Sequence, residues 1–183
     1  GAVVWHYMVG RGGFLGGVHW GMSANGDSLF VPIADTTITG RFTGPVSPGI
    51  HALDPTSGEV QWYTPSVADC DGKSPIPVCD RGMSAAITST DQLVFAGSLD
   101  GNLNVYDSLS GEILWSFDTF GDFESVSGDT ALGGSIESDG PVLYKGHVLI
   151  NSGYQYGARM PGNALMVFSL PPEADLARST RDE

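Results

Sequence analysis

Short runs in which apolar and polar residues alternate, each closed by glycine, asparagine, aspartate or proline, recur from one end of this chain to the other. Period-2 runs bounded by turn residues predict strands. They fall over 2–8, then over 18–24, 29–34, 49–54 and 59–64, then over 82–89, 92–97, 102–107 and 112–118. A last group covers 134–139, 141–144 with 147–152, and 163–169. No segment keeps a helical period. The groups are copies of one unit: His51-Ala52-Leu53-Asp54-Pro55-Thr56-Ser57-Gly58-Glu59-Val60-Gln61-Trp62 is answered by Asn104-Val105-Tyr106-Asp107-Ser108-Leu109-Ser110-Gly111-Glu112-Ile113-Leu114-Trp115, and Gly1 to Trp5 reads as the tail of a third copy. The tryptophans stand 57 and 53 residues apart. A period of about 50 residues filled with short strands predicts an all-β fold, a partial β-propeller or a solenoid.

Each copy reads as a hairpin. The aspartate (Asp54, Asp107) accepts from amides of its own turn, the glycine (Gly58, Gly111) supplies a positive φ, and the strand that follows carries the tryptophan. Trp5, Trp62 and Trp115 are therefore expected to be scaffold, packing unit against unit. The first copy is only a tail and the last group lacks its fourth strand, so residues 1–170 are expected to form an incomplete propeller domain with open edges. The tail 171–183, charged and Pro-containing, is expected to be disordered.

Composition supports many turns, with 26 Gly and 11 Pro in 183 residues. The formal charge of −13, with only eight Lys and Arg, disfavours nucleic acid and anionic membranes as partners. Apolar runs are too short for a membrane helix. Cys70 and Cys79 lie nine positions apart without the spacing or histidines of a redox or zinc motif. A local disulfide, and with it a periplasmic or secreted location, is the expected state, two free thiols the alternative.

The Asp-x-x-(Thr/Ser)-Gly-x-x-x-Trp pattern resembles the tryptophan-docking repeat of the pyrroloquinoline quinone (PQQ) propeller superfamily. Gly16-Gly17-Val18-His19-Trp20-Gly21 with Leu29 to Asp35, Gly133-Gly134-Ser135, Asn151-Ser152-Gly153-Tyr154 and Met160-Pro161-Gly162-Asn163 resemble segments of polyvinyl-alcohol dehydrogenases and related quinoprotein alcohol dehydrogenases. The resemblance implies about three C-terminal blades of an eight-bladed propeller holding PQQ and Ca²⁺. It further implies alcohol oxidation, with a cytochrome or another electron acceptor as partner and the isolated piece inactive. The alcohol could be polymeric. A non-catalytic scaffold of the outer-membrane assembly type, built from the same repeat, is the alternative.

From that resemblance Trp20 is expected to form the floor under the quinone, with packing as its plain alternative, and Asp35 to be a calcium ligand. Asp80 is expected to be the catalytic base, although the usual His-Asp-x-Trp-Asp stretch is missing, and Arg81 to meet quinone carboxylates. Asn151, Tyr154 and Asn163 sit in a Gly-rich segment suited either to ligand contact or to turns. His19 reads as facing away from Trp20. Glu137 and Asp139 read as two acids on one strand face, a pair too common to specify glycoside hydrolysis.

Overall fold

Antiparallel pairing of the alternating runs produces an all-β structure, seen in a computed structural model that describes residues 1–13, 15–36, 43–75, 78–155 and 157–169. The expected tail at 171–183 lies outside the described residues. The first four-stranded sheet runs β1 (Ser23–Ala24), β2 (Leu29–Ile33), β3 (Gly49–Leu53), β4 (Val60–Pro65), neighbours in sequence being neighbours in space. The second repeats it with β5 (Thr88–Ser89), β6 (Leu93–Gly97), β7 (Asn102–Asp107) and β8 (Ile113–Asp118). A hairpin of β9 (Gly121–Glu124) and β10 (Thr130–Gly133) leads to a three-stranded sheet of β11 (Val142–Tyr144), β12 (His147–Ser152) and β13 (Ala164–Ser169). No described helix is long and apolar enough to cross a membrane.

The innermost segments differ from expectation. Residues 18–22, 82–87 and 134–141 form no ladder with their own sheets. They splay toward neighbouring units instead: Met83 N donates to Ile33 O, Ile136 N to Ser98 O, Trp20 N to Ser84 O and Ala86 N to Ser138 O. Backbone groups that leave one ladder must find partners elsewhere, and here they stitch sheet to sheet. The three sheets thus fan out as propeller blades from a shared line of inner segments. Residues 2–8 are likewise no strand.

Alternation gives each blade two faces. Phe30, Ile50 and Ala52 of the first blade meet Met83, Ile87, Val94, Ala96 and Tyr106 of the second, all buried. The other face of the second blade offers Leu103, which packs with Ile136 and Ile150 of the third. Val31, Ile33 and Leu53, on the outer face of the first blade, are covered by Trp5, Val9 and Val18. The corresponding face of the third blade leaves Val142, Tyr144, Leu165 and Val167 exposed.

The repeated motif locks this stack. Asp54 Oδ1 accepts from the amides of Thr56 and Ser57, and Asp107 Oδ1 from those of Leu109 and Ser110. Each turn then receives the tryptophan of the blade before it: Trp5 Nε1 donates to Pro55 O, and Trp62 Nε1 to Ser108 O, both at 3.0 Å. Gly58 (φ +75°) and Gly111 (φ +73°) lie flat against the indoles of Trp5 and Trp62, where a Cβ would come within 2.7 and 2.5 Å of the ring.

Gly111→Ala therefore both strains the backbone, at ~1–2 kcal/mol, and overpacks the Trp62 ring, at ~1–3 kcal/mol. Urea unfolding should show a loss of about 2–5 kcal/mol, whereas alanine at the solvent-facing Gly128, where a Cβ meets nothing within 4 Å, carries only the backbone cost.

Candidate functional site

All tight turns of the docking motif lie at one end of the blades, so the opposite end carries the long connections after β2, β4, β8 and β12. Most of the chemistry-bearing residues collect there. The connection after β4 contains the Cys70–Cys79 disulfide, as expected, and no free cysteine remains. Asp69 N donates to Asp100 Oδ2, and Lys73 Nζ to Asp100 O and Asp118 Oδ1, which fixes this loop to the second blade. Cys79 hands the chain directly to Asp80, which is buried.

Asp80 Oδ1 accepts from Gly82 N at 3.1 Å, while its Oδ2 is buried without a hydrogen-bond partner. Burial raises the Asp80 pKa above the usual carboxylate value, against the pull of the Gly82 amide and the charges of Arg159 and Arg81. Gly82 passes so close to the end of the first blade that a Cβ would stand 2.8 Å from Ala34 O. That close approach brings the Asp80-Arg81 segment beside Asp35.

Trp20 lies 45% exposed at the start of the first blade, its backbone amide donating to Ser84 O. The same serine reaches further. Its hydroxyl donates to Glu137 Oε1 at 2.7 Å and lies 2.8 Å from His19 Nδ1. Glu137 is fully buried in the third blade's inner segment; the residue after it, Ser138, takes a φ of +77°, an uncommon conformation for a side-chain-bearing residue. Glu137 Oε2 has no hydrogen-bond partner, and the Arg159 guanidinium stands 3.8 Å away. Desolvation pushes the Glu137 pKa up; the Ser84 hydrogen bond, the charges of Arg159 and His19 and the Trp20 indole oppose it. Each of the three blades thus contributes to one cluster of Trp20, His19, Ser84, Asp80, Glu137 and Arg159.

Three expectations change on this geometry. His19 does not face away from Trp20, because residues 18–22 form no strand and strand alternation does not apply; the two rings touch at 4.7 Å between centroids. Glu137 and Asp139 are not a strand pair, since the segment turns at Ser138 and leaves Glu137 buried and Asp139 exposed. Asp35 is buried and committed: Oδ1 accepts from Arg11 Nε at 2.9 Å and Oδ2 from Ser47 N at 2.9 Å. A cation there would have to displace a guanidinium, and no group of three or more His, Cys, Asp or Glu gathers around a point among the described residues. As arranged, Asp35 does not fit Ca²⁺.

The remaining candidates divide. Arg81 is half-buried and its charge is felt at Asp80 and at Tyr63. Asn151 stands on β12 opposite Leu165, its Oδ1 buried without a partner. Tyr154 is 51% exposed in the following loop, and Asn163 Oδ1 accepts from Leu132 N, tying the last blade to the β9–β10 hairpin. None of these three makes a hydrogen bond to the cluster among the described residues. Sequence reasoning passed over Arg159 and Ser84, which carry no motif, and gave Glu137 the wrong setting.

The geometry defines a class first: tryptophan-docked β-propeller blades with an exposed indole over buried acids at the loop end. A family described as outer membrane protein assembly factor BamB matches residues 1–119 and 47–160, and the chain belongs to this family of PQQ-type propeller repeats. It is 32% identical over 180 residues to a polyvinylalcohol dehydrogenase of Sphingopyxis sp. (strain 113P3), an alignment covering 93% of this chain and 27% of that protein. A 1-butanol dehydrogenase (cytochrome c) of Thauera butanivorans is 32% identical over 112 residues, 60% of this chain and 15% of its own length. Among solved structures, a quinohemoprotein alcohol dehydrogenase from Comamonas testosteroni aligns over 90% of this chain and 24% of its own, with 18% identity and a TM-score of 0.49. The chain spans only about a quarter of the polyvinylalcohol dehydrogenase it matches.

The buried acids set a pH dependence. A carboxyl whose pKa is raised on folding binds protons more readily when folded, so its contribution to stability is present below the ordinary value and is lost as pH rises through the raised one. Asp80 and Glu137 both act in this sense. Asp54, lowered to about 2 chiefly by the Thr56 hydroxyl, acts in the opposite sense: its contribution is lost as pH falls from the ordinary carboxylate value through about 2. Thermal unfolding should therefore show stability rising as pH falls through the raised values toward the ordinary carboxylate value of about 4, and falling again in stronger acid. Asp80→Asn should reduce the first of these changes and leave the second.

Proposed function

We propose that this chain supplies the acid-base end of a PQQ-dependent alcohol dehydrogenase, in which an alcohol, including a polymeric one, is oxidised and a cytochrome or similar carrier receives the electrons. The observation that carries the reading is Trp20: a 45% exposed residue whose indole meets the buried Glu137, with Asp80 buried at the same end of the blades, each acid keeping one oxygen without a hydrogen-bond partner. Identity to a polyvinylalcohol dehydrogenase along nearly the whole chain supports it.

The residues present suit the quinone better than they suit calcium. Trp20 offers a flat apolar surface for a fused-ring system, and Arg81 a partly exposed guanidinium for ring carboxylates. Bound PQQ would supply the two-electron acceptor, chemistry no side chain possesses. The chain's own residues would orient the alcohol over Trp20, exclude water through the buried set behind it and take up the hydroxyl proton. Asp80 is the acid that the sequence singles out for that last task. No step is routed through Ca²⁺ at Asp35. The disulfide fits an oxidising compartment, and we place the protein in the periplasm or outside the cell.

A second reading follows from the name of the matching family, that of an assembly factor. Under it the loop end would bind protein and the cluster would be structural. The two readings separate on ligand binding. PQQ added to the chain should quench tryptophan fluorescence saturably, and Trp20→Ala should weaken that binding about tenfold or more, the scale of a lost aromatic stacking contact worth ~1.5 kcal/mol. Quenching identical in wild type and Trp20→Ala would favour the scaffold reading.

A further inference from the structure

Resting on the reading in which Asp80 takes up the hydroxyl proton, we infer that Cys70 and Cys79 are the positioning residues of that acid: their disulfide is the strut that keeps Asp80 buried at the loop end. Asp80 and Arg81 form a two-residue bridge with no backbone-to-backbone hydrogen bond among the described residues. Downstream the bridge is held by Gly82, whose carbonyl accepts from Leu99 N at 3.0 Å, and by Met83 N, which donates to Ile33 O at 3.2 Å. Upstream it ends at Cys79, which is fully buried and whose amide reaches only Pro75 O of its own loop, at 3.4 Å.

The disulfide joins that upstream end to the second blade. Cys70 follows Asp69, whose amide donates to Asp100 Oδ2 at 2.9 Å, and Asp100 is itself held by the amide and side chain of Asn102 at the start of β7. Lys73, within the closed loop, donates to Asp100 O and Asp118 Oδ1 and lies over the Phe120 ring. The path from Asp80 to the sheet therefore runs through the two sulfurs.

Asp80 needs such a strut. Its Oδ2 is buried without a hydrogen-bond partner, so the carboxyl gains by turning toward water. A short bridge without ladder bonds would permit that turn, and the cross-link at the neighbouring residue opposes it. Arg81 and Arg159 are the charges felt at the carboxyl, and neither fixes the backbone that carries it. A bridge that merely stabilised the fold would leave the acid's surroundings as they are when it is cut. Glu137 tells the two roles apart, being a second buried acid of raised pKa on the third blade's inner segment, away from the loop.

Carboxyl NMR titration of the cofactor-free chain reads both acids, with Asp80→Asn and Glu137→Gln identifying the signals. In Cys70→Ser/Cys79→Ser the Asp80 pKa should fall toward the ordinary aspartate value as water replaces burial, while Glu137 keeps its own. Wild-type chain treated with dithiothreitol should match the double variant, so the result does not hang on that variant's folding. The reagent reaches the bridge from the half-buried Cys70, takes it to two thiols and closes to its own cyclic disulfide. An unchanged Asp80 pKa, or a fall shared equally by Glu137, overturns the inference. In the PQQ-loaded full-length protein the double variant should lose about 10–10²-fold in kcat, and the acid limb of its pH profile should move to lower pH. An acid limb that stays in place overturns the positioning role. If the wild type oxidises no alcohol with PQQ, the alcohol-oxidation reading fails on its own, and the titration still decides whether the disulfide holds Asp80.

Discussion

The fold depends on one contact made twice: an indole N–H from one blade bonded to a turn carbonyl of the next, with a glycine pressed against the ring. A sheet with two apolar faces has no intrinsic place to stop or to align. The indole supplies both, because its bond has a direction and its area contributes to burial. The aspartate of the same turn holds the carbonyl in place by folding its own amides inward. Register between blades is thus set outside the hydrophobic interfaces that do most of the burying.

With alignment fixed at the tight-turn end, the loop end is free to hold groups that oppose stability. Glu137 and Asp80 sit where their charge is disfavoured, and each leaves one oxygen without a hydrogen bond. A buried unpartnered polar atom costs about 1–3 kcal/mol, more than surface residues usually contribute. Arg159 and Ser84 offset part of that cost for Glu137. Retaining such groups makes sense where a ligand or a proton is to be met.

Much of this was legible in the sequence because repetition and turn chemistry are local. The docking turns, the grouping of strands into blades and the paired cysteines follow from spacing and residue type. The β9–β10 hairpin was not foreseen, since 121–133 mixes Gly, Ser, Asp and Thr with only Phe123, Val126 and Leu132 to mark a pattern. The inner segments were harder still. They read as strands but bond to other blades, so side-chain direction there does not obey alternation, and His19, Glu137 and Asp139 were placed on the wrong sides for that reason. Asp35 was assigned by resemblance, while Arg11, distant in sequence and without a motif, decides its role.

The splayed inner segments also divide what mutation can change. A residue added to a loop at the open end alters what reaches Trp20, but leaves the indole-to-turn bonds at the other end unaffected. What the loop end can meet is therefore free to drift across descendants of this chain while the angle between blades is inherited intact. Variation in the docking turns has no such latitude, since one shifted glycine would misplace every blade that comes after it.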